Sequence, residues 1–141
     1  MILLDTNVVS EGMRPLPDQQ VMRWLDAQPA ADLWISAVTV AEIRLGLALL
    51  PEGQRKQDLT DRAEAMLRED FGEGCLAFDA AAAATDYAAI VAHRTRLGRP
   101  ISVEDAQIAA IARAGGLTLA TRNTKDFRDI EGLTLVNPWE A

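Results

Sequence analysis

The chain has 141 residues, 49% hydrophobic and 25% charged, which is the composition of an ordinary globular domain. Its 21 acidic and 14 basic residues give a net charge of -7, which disfavours broad, non-specific binding to nucleic acids. The sequence has no apolar stretch of membrane-spanning length, and Cys75 is its only cysteine. We therefore expect a soluble protein of the reducing cytoplasm, with no internal disulfide and no membrane contact.

Short apolar runs alternate with longer segments of helical periodicity along the chain. The runs that predict strands are, in chain order, ILL, LWISAV, CLAF, LTLAT and LTLV. Helices are predicted between them: one with Val21, Trp24 and Leu25 on one face, then VAEIRLGLALL, residues 59–67, the alanine-rich AAAAATDYAA, and residues 108–112 before Gly115-Gly116. This alternation predicts an α/β fold, a central parallel sheet of about five strands flanked by helices, in a single domain over residues 1–141.

Acidic and polar side chains follow several of the predicted strands. Asp5 ends the first apolar run, Glu42 follows LWISAV, and 121–123 (Thr-Arg-Asn) follows LTLAT. Asp105 lies in the first turn of the helix that begins after Ser102. Because open parallel sheets bind ligands outside the carboxyl ends of their strands, we expect these residues to meet at one edge. Oxygen ligands without a histidine base favour Mg²⁺, with Mn²⁺ possible, held together with a substrate phosphate.

Each acid also has a purely structural interpretation. Thr39 and Glu42 have the spacing of a capping box, with Thr39 as N-cap and Glu42 in the first helical turn, and Ser102 and Asp105 repeat it. Asp5 alone would suit a turn. The two interpretations are compatible, because a helix N-terminus favours the ionised carboxylate that a hard cation needs.

Other chemistries find little support in the sequence. His93 is the only histidine and lies on a predicted helix, which leaves zinc sites and Ser-His-Asp catalysis without their usual residues. Cys75 lies inside CLAF and is expected to be a buried hydrophobic residue. No glycine-rich dinucleotide motif and no P-loop motif occurs, so a nucleotide-dependent enzyme is unsupported.

Five segments together resemble a known family. MILLDTNVVSE, VTVAEIRLGLALL, ISVEDAQIAAIA, TLATRNTKDF and the closing NPW look like a PIN-domain ribonuclease, and more narrowly like a VapC-family toxin of the FitB branch. The resemblance covers essentially the whole chain. It implies a PIN fold, Mg²⁺-dependent endonucleolytic cleavage of RNA, and a homodimer. It also implies pairing with a small DNA-binding antitoxin, which inhibits the toxin and connects it to operator DNA.

The resemblance assigns the metal-binding and catalytic acids residue by residue. Asp5, Glu42 and Asp105 fall on the family's metal acids. The fourth metal site falls on Asn123, where the family often has an aspartate, and this departure leaves open whether one or two ions bind. Asp126, three residues further on, is the alternative fourth acid.

Residues beside the acids are expected to position the substrate or water. Thr6 is the small polar residue that follows the first acid, and Thr121 and Arg122 end the fourth predicted strand. Further basic residues are candidates for contacts with RNA phosphates, although each is equally well a plain surface charge: Arg14, Arg44, Arg99 and Lys125.

Two other functions fit parts of the pattern. A haloacid-dehalogenase-like phosphohydrolase also has an aspartate after its first strand, but it needs a second aspartate two residues on, where this chain has Asn7. The other is a PIN domain that serves only in protein interaction. Loss of the metal acids would favour it, but all three are present. Metal-dependent RNA cleavage and p-nitrophenyl phosphate hydrolysis distinguish these possibilities.

Overall fold

The computed structural model describes residues 1–81 and 83–141. In this part of the chain five strands form one parallel sheet, in the order β3-β2-β1-β4-β5. The strands are β1 Ile2–Leu4, β2 Leu33–Ser36, β3 Cys75–Leu76, β4 Thr118–Ala120 and β5 Leu135–Val136. The prediction of an α/β fold around a parallel sheet of about five strands is confirmed.

Helices cover both faces of this sheet. Within the described ranges they are α1 Thr6–Gly12, α2 Gln19–Asp26, α3 Ala37–Ala48, α4 Gln54–Glu69, α5 Ala83–Arg96, α6 Val103–Gly115 and α7 Thr124–Phe127. No helix among the described residues has the length and apolar character needed to cross a membrane. The alanine-rich segment predicted to be helical includes Ala82, which lies outside the described residues, and α5 begins at the next position.

Strand β1 lies at the centre of the sheet, with β2 on one side and β4 on the other. Ile2 is in register with both Leu33 of β2 and Thr118 of β4. The strand order therefore reverses at β1, and the carboxyl ends of β1, β2 and β4 meet at one edge. Such a reversal is the usual ligand-binding position of an open α/β sheet.

The core consists of two apolar clusters, one on each face of the sheet. Leu3 packs in the first cluster with Ile108 of α6, and Leu4 packs in the second with Val8 of α1. Both leucines are at most 2% exposed, because a central parallel strand is covered on both faces. The apolar run ILL is thus a buried strand, and Asp5 is the first polar residue at its end.

Helix α1 was not predicted from the sequence. It begins at Thr6, directly after β1, and its N-cap is Asp5, whose Oδ1 accepts the Thr6 N–H at 2.8 Å. The first helix had been expected only around Val21, because α1 is short and offers no capping box to mark its start. Asp5 therefore ends a strand and begins a helix.

The predicted capping box at Thr39 and Glu42 is wrong. Ser36 is the N-cap of α3, and its Oγ accepts the Thr39 N–H at 3.0 Å. The helix starts at Ala37, so Thr39 is buried inside it and Glu42 lies in the second turn rather than the first.

The prediction that Cys75 is buried is also wrong. Its strand, β3, lies at the edge of the sheet and, among the described residues, pairs with β2 alone, so one side of the strand is uncovered and Cys75 is exposed.

Candidate active site

Asp5 lies at the centre of the ligand-binding edge and is 4% exposed. Its Oδ1 accepts the Thr6 N–H at 2.8 Å, and its Oδ2 accepts the Thr121 hydroxyl at 2.8 Å. Burial raises the pKa of Asp5 to about 6, with smaller contributions from the negative charges of Asp105 and Glu42. The two hydrogen bonds act in the opposite direction, because they stabilise the ionised form.

Glu42 is held by a chain of hydroxyl groups that joins α3 to α1. Its Oε1 accepts the Thr6 hydroxyl at 2.7 Å. Since that proton is used, Thr6 accepts from the Thr39 hydroxyl at 3.0 Å, and Thr39 accepts from Ser36 at 3.4 Å. The chain ends on the Glu42 carboxylate, so it holds that side chain in one orientation.

Asp105 approaches the same edge from the first turn of α6. Its backbone N–H donates to Oγ of Ser102, the N-cap, at 3.1 Å. Within the described residues the Ser102 backbone N–H does not donate back to the Asp105 carboxylate, so the reciprocal half of the predicted capping box is not formed. Burial raises the pKa of Asp105, and the charges of Asp126, Glu42 and Glu104 raise it further, against the hydrogen bond from Ser102.

Thr121 and Asn7 connect the ends of β1 and β4. Thr121 is fully buried, donates to Asp5 and accepts the Asn123 N–H at 3.1 Å. Asn7 Nδ2 lies 3.4 Å from both Asp5 Oδ2 and Thr121 Oγ1, and Asn7 Oδ1 accepts the Arg122 N–H at 3.3 Å. Sequence reasoning did not assign Asn7 to the site, although its position two residues after Asp5 was a signal.

The segment after β4 carries the two candidates for a fourth ligand. Asn123 is exposed at the N-cap of α7, and its side chain makes no capping hydrogen bond. Asp126 is half-buried, and its charge is the largest charged contribution to the raised pKa of Asp105. Its backbone carbonyl accepts a 2.6 Å hydrogen bond from the buried Arg94. Asp126 is therefore the charged neighbour of the cluster, whereas Asn123 adds no charge.

The basic residues suggested as phosphate contacts differ in how they are engaged. Three of them form ion pairs: Arg14 with Glu11, Arg44 with Glu64, and Arg99 with Asp129. The guanidinium of Arg122 instead lies over the ring of Trp139, 5.0 Å from its centre. Arg122 is thus a fixed cation beside Thr121, at the rim of the acid cluster.

The donor set of the cluster suits a hard cation. Among the residues that the structure describes, no three acidic, histidine or cysteine side chains stand close enough to ligate one ion directly. The negative charges of Asp105 and Glu42 nevertheless raise the pKa of Asp5. Those of Asp126 and Glu42 raise the pKa of Asp105, and a bound cation would offset this repulsion. Mg²⁺ fits such an arrangement, because it usually keeps several waters and needs only one or two direct carboxylate ligands.

Comparison with known proteins identifies the family of this chain. The PIN domain model matches residues 2–133 of the chain. The chain is 44% identical to the toxin FitB of Neisseria gonorrhoeae, and the match covers 99% of each. It is 42% identical to the VapC ribonuclease Y4jK of Sinorhizobium fredii, again over 99% of each.

Solved structures show the same fold. FitAcB from Neisseria gonorrhoeae matches with a TM-score of 0.92 at 42% identity, covering 100% of both chains. A toxin-antitoxin complex from Klebsiella pneumoniae matches with a TM-score of 0.71 at 27% identity, covering 98% of both. The family model and these relatives agree with the fold around a central parallel sheet. The chain therefore belongs to the PIN-domain family, in the branch that contains the FitB and VapC toxins.

Proposed function

We propose that this protein is the toxin of a type II toxin-antitoxin pair and acts as a divalent-metal-dependent endoribonuclease. The observation that carries the proposal is the convergence of Asp5, Glu42 and Asp105, from three separate segments, at the ligand-binding edge of the sheet. The relatives named toxin FitB and VapC ribonuclease support the same activity.

The three acids are proposed to hold Mg²⁺, or Mn²⁺ in its place. Asn123 is proposed as a weaker ligand through its amide oxygen, which contributes no net charge. When bound, such a cation activates water as the nucleophile and offsets the negative charge of the phosphodiester that is cleaved. The fit rests on the oxygen-only donor set and on the mutual repulsion of the carboxylates.

The surrounding residues orient these carboxylates. Thr121 and the Thr6 N–H hold the two oxygens of Asp5, and the Thr6 hydroxyl holds Glu42. The two hydrogen bonds to Asp5 favour its charged form, which is the form that binds a cation. Arg122, stacked on Trp139, is proposed to contact substrate phosphate at the rim.

An apolar groove supports the antitoxin as partner. It measures about 620 Å³ and lies among α1, α2 and α4, where Met13, Met22 and Met66 line it. Methionine is flexible and adapts to a partner's apolar side chains. Its charged lining residues are two arginines, Arg14 and Arg62, and three acids, Asp26, Glu69 and Asp70. Because acids are in excess and Arg14 already pairs with Glu11, the groove suits a partner with an apolar face and basic flanks. Operator DNA is reached through the antitoxin alone, because the toxin's net charge of -7 disfavours direct contact.

A homodimer through α3 is also part of the proposal. Leu45 of α3 and Leu49, the C-cap residue of α3, lie one helical turn apart, are 59% and 76% exposed, and form an apolar patch. Leu59 and Leu67 of α4 suit a dimer interface less well, because both side chains are half-buried and Leu67 packs on the core. An RNA-cleaving toxin acts where cellular RNA is present, so the proposal implies the cytoplasm.

Cleavage of RNA by the purified chain tests the proposal. We expect Mg²⁺ or Mn²⁺ to support cleavage of single-stranded or structured RNA, and EDTA to abolish it. Asp5→Asn is expected to be inactive, whereas Asp58→Asn, which removes the same charge from the exposed face of α4, is expected to cleave normally. Turnover of p-nitrophenyl phosphate without RNA cleavage would instead indicate a phosphohydrolase. Activity on neither substrate would favour an interaction module.

A further inference from the structure

A second groove, of about 290 Å³, is continuous with the acid cluster. It starts at Thr6 and Glu42 and extends between α1 and α3 to the beginning of α4. Apolar side chains form much of its wall: Met13, Pro15, Ile43, Leu47 and Leu59. Its two basic groups are Arg14 and Arg55. The groove therefore combines apolar walls with positive charge, although the chain as a whole is acidic.

Arg55 has no stabilising role visible in the fold. It is exposed, and in the described part of the chain it makes no ion pair and no hydrogen bond. It lies in the first turn of α4, where the helix dipole disfavours a cation. Its neighbour Lys56, by contrast, pairs with Glu52. A cation in an unfavourable position, without a partner, points to a ligand rather than to stability.

Arg14 is fixed at the opposite wall of the groove. Its Nη1 donates to both carboxylate oxygens of Glu11 at 3.2 Å, and Glu11 is buried and also accepts the Asp18 N–H. One end of the guanidinium is therefore anchored, while the side chain remains 63% exposed. Its remaining N–H groups are available to an anion in the groove.

Gly46 keeps the groove open where α3 forms part of its wall. A Cβ atom built at this position would meet no other atom within 4 Å, so alanine fits without a clash. Alanine is also the better helix former, and packing gives no reason for a glycine in the middle of α3. The glycine instead leaves helix backbone uncovered where α3 lines the groove.

We propose that this groove binds the stretch of single-stranded RNA next to the phosphodiester cut at the acid cluster. Arg55 contacts a backbone phosphate, and the apolar wall receives an unpaired base. This inference rests on the proposed ribonuclease function. RNA is favoured over a protein partner because the groove begins among the site residues and because its unpartnered charge is positive, opposite to that of the substrate.

Salt-dependent RNA binding tests the role of Arg55. The probe is a fluorescent single-stranded RNA of mixed sequence, about 12 nucleotides long, with Asp5→Asn as background so that it stays intact. We expect Arg55→Gln to weaken binding about fivefold and to lower the slope of log affinity against log salt by about 0.7, the value for one phosphate contact. The control is Arg96→Gln, an exposed arginine at the end of α5, which should change neither. Equal effects of the two variants, or no effect of Arg55→Gln, would overturn the proposal.

Gly46→Ala tests whether the groove binds RNA without disturbing the fold or the acid cluster. We expect it to raise KM for RNA while thermal stability stays equal or increases. If the wild type cleaves RNA and both Gly46→Ala and Arg55→Gln have its KM, the groove proposal is wrong and the proposed ribonuclease function stands. If the wild type cleaves no RNA, the proposed function itself fails. If RNA binding is intact and these variants weaken only the complex with the co-expressed antitoxin, the groove is a protein site and the RNA assignment is wrong.

Discussion

The hydroxyl of Thr6 donates a 2.7 Å hydrogen bond to Oε1 of Glu42, while the Thr6 N–H donates to Asp5 at 2.8 Å. One residue thus contacts two of the three acids, through different groups. The arrangement fixes α3 against the start of α1, so the orientation of Glu42 depends on a side chain from another helix.

We expect Thr6→Val to reduce kcat/KM for RNA cleavage about tenfold, the effect of losing about 1.4 kcal/mol of orientation and charge stabilisation. Thr6→Ser keeps the hydroxyl and should stay close to wild type. Both variants keep the backbone contact with Asp5, and thermal unfolding verifies that the fold is retained. Equal activity of the valine and serine variants would show that the hydroxyl does not orient Glu42.

The buried carboxyl of Asp5 predicts that the metal-free protein loses stability as the pH rises. Its pKa is about 6 in the folded protein, against an ordinary value of 3.8, so the folded state binds the proton more tightly than the unfolded chain. This stabilisation is fully present below about pH 3.8 and is lost as the pH rises through about 6. Its upper limit is roughly 3 kcal/mol.

Denaturant unfolding of wild type and Asp5→Asn across this range measures the effect. We expect the variant to be more stable than wild type at about pH 7, by about 1–3 kcal/mol, with the difference vanishing below about pH 4. A difference that does not depend on pH would contradict the raised pKa. Metal binding should show the opposite trend and strengthen as the pH rises through about 6, because the cation needs the ionised form.

The strands, and the acids that follow them along the chain, could be predicted because both are seen in short stretches of sequence. A buried parallel strand appears as a continuous apolar run, and the position of a carboxylate after the run can be seen directly. The start of α3 was placed incorrectly because Ser36 and Thr39 are both good N-caps by residue type. The structure selects Ser36, whose backbone pairs with Leu76 of β3, and this pairing holds residue 36 in the sheet.

The roles of Asn7 and Arg55 depend on contacts that are distant in sequence. Asn7 reaches Thr121, 114 positions away, and Arg55 shares a groove with Thr6 and Arg14 from another helix. The position of Asn7 two residues after Asp5 marks it as a neighbour of the site. Neither this asparagine nor an arginine in a surface helix shows locally which distant residue it contacts. Only the folded chain brings these residues to the acid cluster.

We expect Asn123→Asp to tighten Mg²⁺ binding in the absence of RNA. Three carboxylates give the site a formal charge of about -3, enough for one divalent ion, and a fourth would favour a second. Asn123→Asp should have a lower thermal unfolding midpoint than wild type without metal, and a larger increase of that midpoint with Mg²⁺. The Mg²⁺-induced increase in Asn123→Ala should be closer to that of wild type than the increase in Asp5→Asn is. Identical Mg²⁺-induced shifts in wild type and Asn123→Asp would place residue 123 outside the coordination sphere.

The antitoxin is expected to compete with the cation. An acidic toxin favours a partner tail with basic residues, and an arginine placed in the acid cluster would occupy the position of the metal. Millimolar Mg²⁺ should therefore weaken the toxin-antitoxin complex at constant ionic strength, as measured by competition binding. Affinity that does not change with Mg²⁺ would show that inhibition leaves the metal site free.

Calorimetric titration of Mg²⁺ in the absence of RNA tests the central claim most directly. The variants to compare with wild type are Asp5→Asn, Asp105→Asn and the surface control Asp58→Asn. If the acids at the sheet edge form one cation site, Asp58→Asn binds Mg²⁺ as the wild type does, and each site variant loses at least about tenfold in affinity. Wild-type affinity in purified Asp5→Asn would contradict the assignment of Asp5 and its neighbours as the metal site.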